Sequence, residues 1–227
     1  MRVLIACEYS GVSRRAFEAL GHEVWSADFE PAEDGAANHY QGDCFDLIDG
    51  WEPVRFTAEC DPDGDGWCGL RDVAPCECNC IGPTEDDVEY KENANGVLLG
   101  RRKNWTQFDL MIAHPPCTYF TVAAAWALQD ANFEKYPGVG YHQKVKGDTM
   151  TGAARRAAQR DALDFVLRLM AAPIKMKAIE NPVGQLSTLY RKPDQIIQPW
   201  WFGDDASKAT CLWLENLPLL QKTNEVR

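Results

Sequence analysis

The chain has 227 residues, enough for one α/β domain with a buried core plus an insertion, and a formal net charge of −11. No stretch approaches the ~20 consecutive apolar residues that span a bilayer. The opening Met1-Arg2-Val3-Leu4-Ile5-Ala6 is too short an apolar run for a signal peptide, so a cytoplasmic protein with no membrane partner is expected.

Val3 to Cys7 reads as a first core strand, and Glu8-Tyr9-Ser10-Gly11 as the loop after it. Ser13 to Leu20 has helical spacing, with Ala16, Phe17 and Leu20 on one face and Gly21 as a stop. Glu23 to Ala27 alternates like a second strand and ends at Asp28, and a third short element precedes Gly42-Asp43. A strand, loop, helix, strand, acid succession opens a nucleotide-binding α/β sheet. No G-x-G-x-x-G follows the first strand, which disfavours a nicotinamide dehydrogenase.

Residues 51–104 break this rhythm. They are rich in Gly, Pro, Asp and Cys, and read as an inserted lobe held by ligands rather than by a core. Five of the nine cysteines (Cys60, Cys68, Cys76, Cys78 and Cys80) crowd into it, and in a reducing cytosol such clustering favours a structural zinc over disulfides. Asp61-Pro62-Asp63-Gly64-Asp65-Gly66 also matches the start of a calcium loop with Asp72 at its close, but without flanking helices an acidic turn is the preferred reading.

The α/β rhythm resumes at Phe108–Ala113, a buried strand stopped by His114-Pro115-Pro116-Cys117. Proline cannot donate to a sheet ladder, so the chain leaves the sheet and delivers Cys117 onto a loop at the carboxyl end of a strand, where open α/β sheets place their ligands. Ala123 to Leu128 reads as the start of a helix, and Phe133 to Thr149 as a mobile loop near the site. Thr151 to Met170 is the clearest helix, capped by Thr151, with an apolar stripe of Ala158, Ala162, Phe165, Val166 and Leu169. Lys177 to Asn181 is a short strand ending in Glu180-Asn181-Pro182, followed by a short helix over Val183–Leu189, a strand at 195–198 and a last strand at Thr210–Leu214. A thiol and a carboxylate at the tips of two strands suit covalent catalysis with an acid partner. The competing reading is a structural cysteine and a helix-capping Glu-Asn pair.

On these residues the chain resembles the cytosine-5 DNA methyltransferases, and is similar to their small phage-encoded members. The resemblance covers most of the chain outside the insertion. It implies a Rossmann-like sheet binding S-adenosylmethionine in a single methyltransferase domain over 1–227, with 51–104 inserted. Pro116-Cys117 matches the family's nucleophile and Glu180-Asn181 its acid pair. Cys7, Glu8, Tyr9, Ser10 and Gly11 match the cofactor loop, Asp28 and Phe29 the ribose acid and its neighbour, Asp43 the adenine side, and Pro115 lies beside them in the binding set. The chain departs from the pattern with one glycine in the first loop and with Pro182 where valine is usual. Ser207-Lys208-Ala209-Thr210 stands in place of Gln-x-Arg-x-Arg, with Lys208 as the catalytic cation. No counterpart of the family's target-recognition domain follows, so a partner or a second copy is expected to supply that surface.

The resemblance implies that the Cys117 thiolate adds to cytosine C6 while Glu180 shares a proton with N3 and Asn181 orients the base or its loop. Lys208 and His114 are the candidate cations to favour the thiolate, with a structural role the preferred reading for His114. Glu180 must carry or share a proton near neutral pH, which partial burial favours. A duplex substrate would need its cytosine flipped out. The negative net charge counts against DNA, although nine Lys or Arg from Lys135 to Lys177 face only Asp148, Asp161 and Asp164. Arg155, Arg156 and Arg160 fit either a phosphate grip or the solvated face of a helix; Trp200-Trp201 fits either base stacking or a plug at the core's edge. The expected substrate is cytosine in DNA. A free cytosine nucleotide such as dCMP, and a non-catalytic nucleic-acid-binding protein, are the alternatives.

Overall fold

A computed structural model describes residues 1–54, 88–102, 107–130, 138–140, 143–144 and 149–227. The protein is α/β, with a mostly parallel seven-stranded mixed sheet compatible with a Rossmann-like fold. It divides into two compact units, Met1–Asp109 and Leu110–Arg227. The five clustered cysteines and the calcium-like loop lie outside the described residues, and no group of three or more metal-binding side chains occurs among those described.

In the first unit, β1 (Arg2–Ala6), β2 (Glu23–Asp28) and β3 (His39–Gln41) are parallel, with Val3 opposite Val24 and Asp28 opposite Gln41. Val3, Leu4, Ile5 and Ala6 are fully buried, as expected of a parallel strand covered on both faces. α1 (Val12–Ala19) follows the first loop and ends at Gly21, whose φ of +80° suits glycine at a helix stop. The apolar face expected for this helix is not its buried face: Leu20 is exposed and Arg14 is buried. The Arg14 guanidinium donates to Asp34 Oδ2 (2.5 Å), Glu18 Oε1 (3.2 Å) and Asn38 Oδ1 (3.2 Å), so a polar network rather than an apolar stripe fastens the helix. α2 (Cys44–Ile48) starts from Asp43, whose Oδ1 accepts from the Phe45 amide at 3.0 Å.

The flanks of the expected ligand-held lobe do have a sheet. β4 (Glu52–Pro53), β5 (Val88–Glu92) and β6 (Leu98–Arg102) form an antiparallel set in the order β4-β6-β5, and Leu99 is fully buried. The indole of Trp51 lies 4.6 Å from both the Lys91 ammonium and the Arg101 guanidinium, and these cation–π contacts help hold charged strands that lack an alternating apolar pattern.

In the second unit, β7 (Leu110–Ala113) is followed by a 3-10 turn at Val122–Leu128, a small hairpin of β8 (Gly138–Gly140) and β9 (Gln143–Lys144), and α3 (Gly152–Ala171). Then come β10 (Met176–Pro182), α4 (Leu186–Leu189), β11 (Gln195–Ile197) and β12 (Thr210–Glu215). β10 runs parallel to β7 on one side and antiparallel to β12 on the other. Thr151 stands at the N-cap of α3 but makes no side-chain cap bond. Trp200 and Trp201 fit the edge-plug reading: the chain's own C-terminal segment lies on them, with Lys222 Nζ 5.2 and 4.9 Å from their rings and Val226 N donating to Trp200 O.

Trp213 on β12 is 1 % exposed and its indole N–H donates to Arg191 O at 2.8 Å. Trp213→Ala should cost ~3–5 kcal/mol in urea unfolding, the range for large core truncations; unchanged stability would remove Trp213 from the core. At the start of β11 the Arg191 guanidinium, 2.8 Å away, holds the Asp194 carboxyl below its usual value, with the Leu214 N–H adding to the effect. A lowered folded-state pKa contributes stability that is present above the unfolded value and lost as pH falls through the folded one. The stability gap between wild type and Asp194→Asn should therefore hold above the ordinary carboxylate range and shrink as pH falls below it in chemical denaturation; a gap constant with pH would contradict the pairing.

Candidate active site

Parallel pairing of β7 with β10 sets Ala113 opposite Ile179, so the residues that follow β7 run beside the last residues of β10. His114 meets Glu180: Nδ1 and Oε2 are 3.2 Å apart, and with its proton on Nδ1 the imidazole donates to the carboxylate. Pro115 meets Asn181, whose Nδ2 donates to the Pro115 carbonyl at 2.8 Å. Pro115 and Asn181 are buried, whereas Glu180 keeps 26 % of its side chain exposed. Sequence alone offers His114 as a cation for the thiol; in the structure its partner is the expected acid.

A few residues on, the two segments meet again. Thr121 bridges Gly184, and the Gln185 amide donates to Phe120 O at 2.7 Å. A side chain at Gly184 would reach within 2.3 Å of the Phe120 carbonyl oxygen, so the close approach requires glycine. Residues 114–121 are thus fastened to 180–185 at both ends, with partly exposed Cys117 between. The loop also turns on itself, Phe120 N and Thr121 N donating to Cys117 O at 2.9 and 3.2 Å.

α3 holds the same loop from a third direction. Arg155 Nη2 donates to Thr118 O (2.7 Å), and Gln159 Nε2 donates to Tyr119 O (2.7 Å) and to Gln185 Oε1 (2.5 Å). Arg156 donates to Leu128 O and to Asp130 Oδ2, and Arg160 is exposed. Neither expectation for these arginines describes Arg155, which is buried and bonded to the loop that carries Cys117. Its signal in the sequence is position, since it falls about one turn before Ala158 and two before Ala162 on the stripe. Lys208 is exposed on the segment leading to β12.

Two polar atoms here are buried without a hydrogen-bond partner among the described residues, His114 Nε2 and Asn181 Oδ1. Buried polar atoms are nearly always satisfied, so two orphans flanking Glu180 mark a place suited to a polar ligand. On the neighbouring strand Cys211 is fully buried; burial pushes its thiol up, the Ser187 hydrogen bond opposes this, and the Glu180 charge adds to the rise. It is a poor nucleophile beside Cys117.

In the first unit the expected cofactor residues sit at the carboxyl ends of β1 and β2. Cys7 has a φ of +60°, unusual for a side-chain-bearing residue, and turns the chain out of β1. Glu8 is 7 % exposed and its carboxylate caps α1, accepting from Ser13 N (2.7 Å), Arg14 N (3.3 Å) and Ser10 Oγ (3.3 Å). Gly11 has a φ of +69°, and a Cβ there would meet Arg14, Arg15 and Asp34, which explains the single glycine of this loop. Tyr9 and Phe29 are exposed, and Asp28 accepts from Glu30 N at 3.0 Å.

No protein-family model matches the chain, and no curated protein matches it.

Gly184→Ala should destabilise the protein by ~1–3 kcal/mol in thermal unfolding, because the new methyl forces the two segments apart. A melting curve identical to wild type would contradict the contact between them.

Proposed function

We propose that the protein is an S-adenosylmethionine-dependent methyltransferase acting on C5 of cytosine through a covalent adduct with Cys117. One observation carries this reading: the segment bearing Cys117 is fastened at both ends to the segment bearing Glu180, so a thiol and a carboxylate belong to one small region of one unit.

The residues of the first unit fit the cofactor. In dinucleotide-binding folds the first helix offers its free N–H groups to a phosphate. Here Glu8 already takes those of Ser13 and Arg14 with a buried negative charge, an arrangement hostile to a phosphate and suited to a cationic nucleoside. Asp28 would hold the ribose hydroxyls, and exposed Phe29 and Tyr9 would stack on the base. Asp43 already caps α2, so its adenine-side role falls to its surroundings rather than to a free carboxylate. The bound cofactor would supply an electrophilic methyl group.

The pyrimidine would be activated by the second unit. The Cys117 thiolate adds to C6 while Glu180 gives a proton to N3, moving the electron pair to C5, where a carbon–carbon bond can form. Loss of the C5 proton to a base, expulsion of the thiolate and return of the N3 proton to Glu180 then restore the aromatic ring. His114 holds the Glu180 carboxylate, and Asn181 holds the Pro115 carbonyl. General acid help of this kind is worth ~10²–10⁴-fold in rate.

Cytosine within DNA is the substrate expected from the resemblance. The bonding of Arg155 and Arg156 to the chain's own carbonyls favours a second reading, a free cytosine nucleotide, because it withdraws two of the four arginines of α3 from a phosphate grip. Labelled cofactor offered with duplex DNA or with dCMP separates the two.

Bisulfite sequencing of duplex DNA treated with protein and cofactor, paired with the dCMP assay, tests the reaction. Label at cytosine C5 is expected with wild type, none with Cys117→Ser, and a rate lower by ~10²–10⁴-fold with Glu180→Gln. Transfer that survives Cys117→Ser, or no transfer to either substrate, would overturn the proposal.

A further inference from the structure

The Cys117 loop is held by more than its two junctions with 180–185, and the third hold comes from a helix that the chemistry above does not use. Arg155 and Gln159 lie one helical turn apart on α3 and bond consecutive carbonyls, those of Thr118 and Tyr119, immediately after the cysteine. Arg155 is 8 % exposed, with its guanidinium 5.2 Å from the centre of the Tyr119 ring. No carboxylate pairs with it among the described residues, so its charge is compensated by one carbonyl and one aromatic face of the loop. The Gln159 amide group goes further, bonding both the loop and Gln185, which follows the Glu180 strand.

We propose that Arg155 and Gln159 are positioning residues: α3 fixes where the Cys117 sulfur stands relative to Glu180. This rests on the cytosine-5 reading for its chemical consequence, but not for its physical one. If the clamp only stabilised the fold, its loss would lower the melting temperature and leave the turnover of folded protein unchanged. If it positions the sulfur, its loss lowers the rate of the covalent step while cofactor binding is retained.

The test uses the full chain with Arg155→Gln, Arg155→Lys and Gln159→Ala, each checked for a wild-type circular dichroism spectrum. Misplacing a reacting group by about 1 Å can cost ~10²-fold, so kcat should fall by roughly tenfold to a hundredfold in Arg155→Gln and Gln159→Ala, with KM for S-adenosylmethionine nearly unchanged. Arg155→Lys, which keeps a charged donor, should recover part of the loss. Independently of any methyl transfer, iodoacetamide labelling read by peptide mass spectrometry should show an altered rate at Cys117 in both variants, with Cys44 and Cys211 still protected. Folded variants with wild-type kcat and wild-type Cys117 labelling would overturn the proposal. Altered labelling in a protein that methylates neither DNA nor dCMP would uphold the positioning role and defeat the cytosine-5 reading instead.

Discussion

The site depends on the parallel pairing of β7 with β10 and on what that register forces beyond the end of β7. Once Ala113 lies opposite Ile179, His114 must face Glu180 and Pro115 must face Asn181. Two prolines then carry the chain out of the sheet, and Gly184 lets it return against the segment after β10. A loop is ordinarily the most mobile part of a fold. This one has its carbonyls at 115, 118, 119 and 120 each bonded to another part of the same unit. For the nucleophile proposed at Cys117, such a hold would remove the ordering entropy that a free loop loses on reaching a reactive geometry.

The first unit is organised around a buried charge at the start of a helix. A helix N-terminus at the end of β1 attracts anions, and here the protein supplies its own in Glu8. Burying that carboxylate is tolerable because two backbone N–H groups and a serine hydroxyl satisfy it. Arg14 and Arg15 are neutralised nearby by Asp34. Burial pushes the Asp34 carboxyl up, and its hydrogen bonds from Arg15 and Arg14 outweigh this and hold it below its usual value. The ends of β1 and β2 are left with little free positive charge and with one exposed aromatic ring each, Tyr9 and Phe29.

Much of this was legible in the sequence, because the signals are local. Proline ends β7 wherever the rest of the chain goes, apolar runs mark β1 and β7 as buried, and glycine stops α1. The sites of Cys117 and Glu180 at strand ends follow from those signals alone. What was not legible depends on distant partners. His114 gives no local sign that it will meet a residue 66 positions away, and Arg155 reads as one more charge on a helix until Thr118 is found against it. The face of α1 was misjudged because a buried arginine with three polar partners replaces an apolar contact. The small sheet at the edge of the insertion was missed because β4 has only two residues and β5, Val-Glu-Tyr-Lys-Glu, is too charged to show a core pattern.

A sulfur that must attack a pyrimidine can be caught in the act. Protein incubated with S-adenosylmethionine and with 5-fluorocytosine, presented once in duplex DNA and once as the monophosphate, should form a stable adduct in at least one case, since fluorine at C5 cannot leave as a proton does. Mass spectrometry of the digested complex should place the pyrimidine on the peptide containing Cys117. An adduct on any other cysteine, or none with either form of the base, would contradict the central claim that Cys117 is the nucleophile of this site.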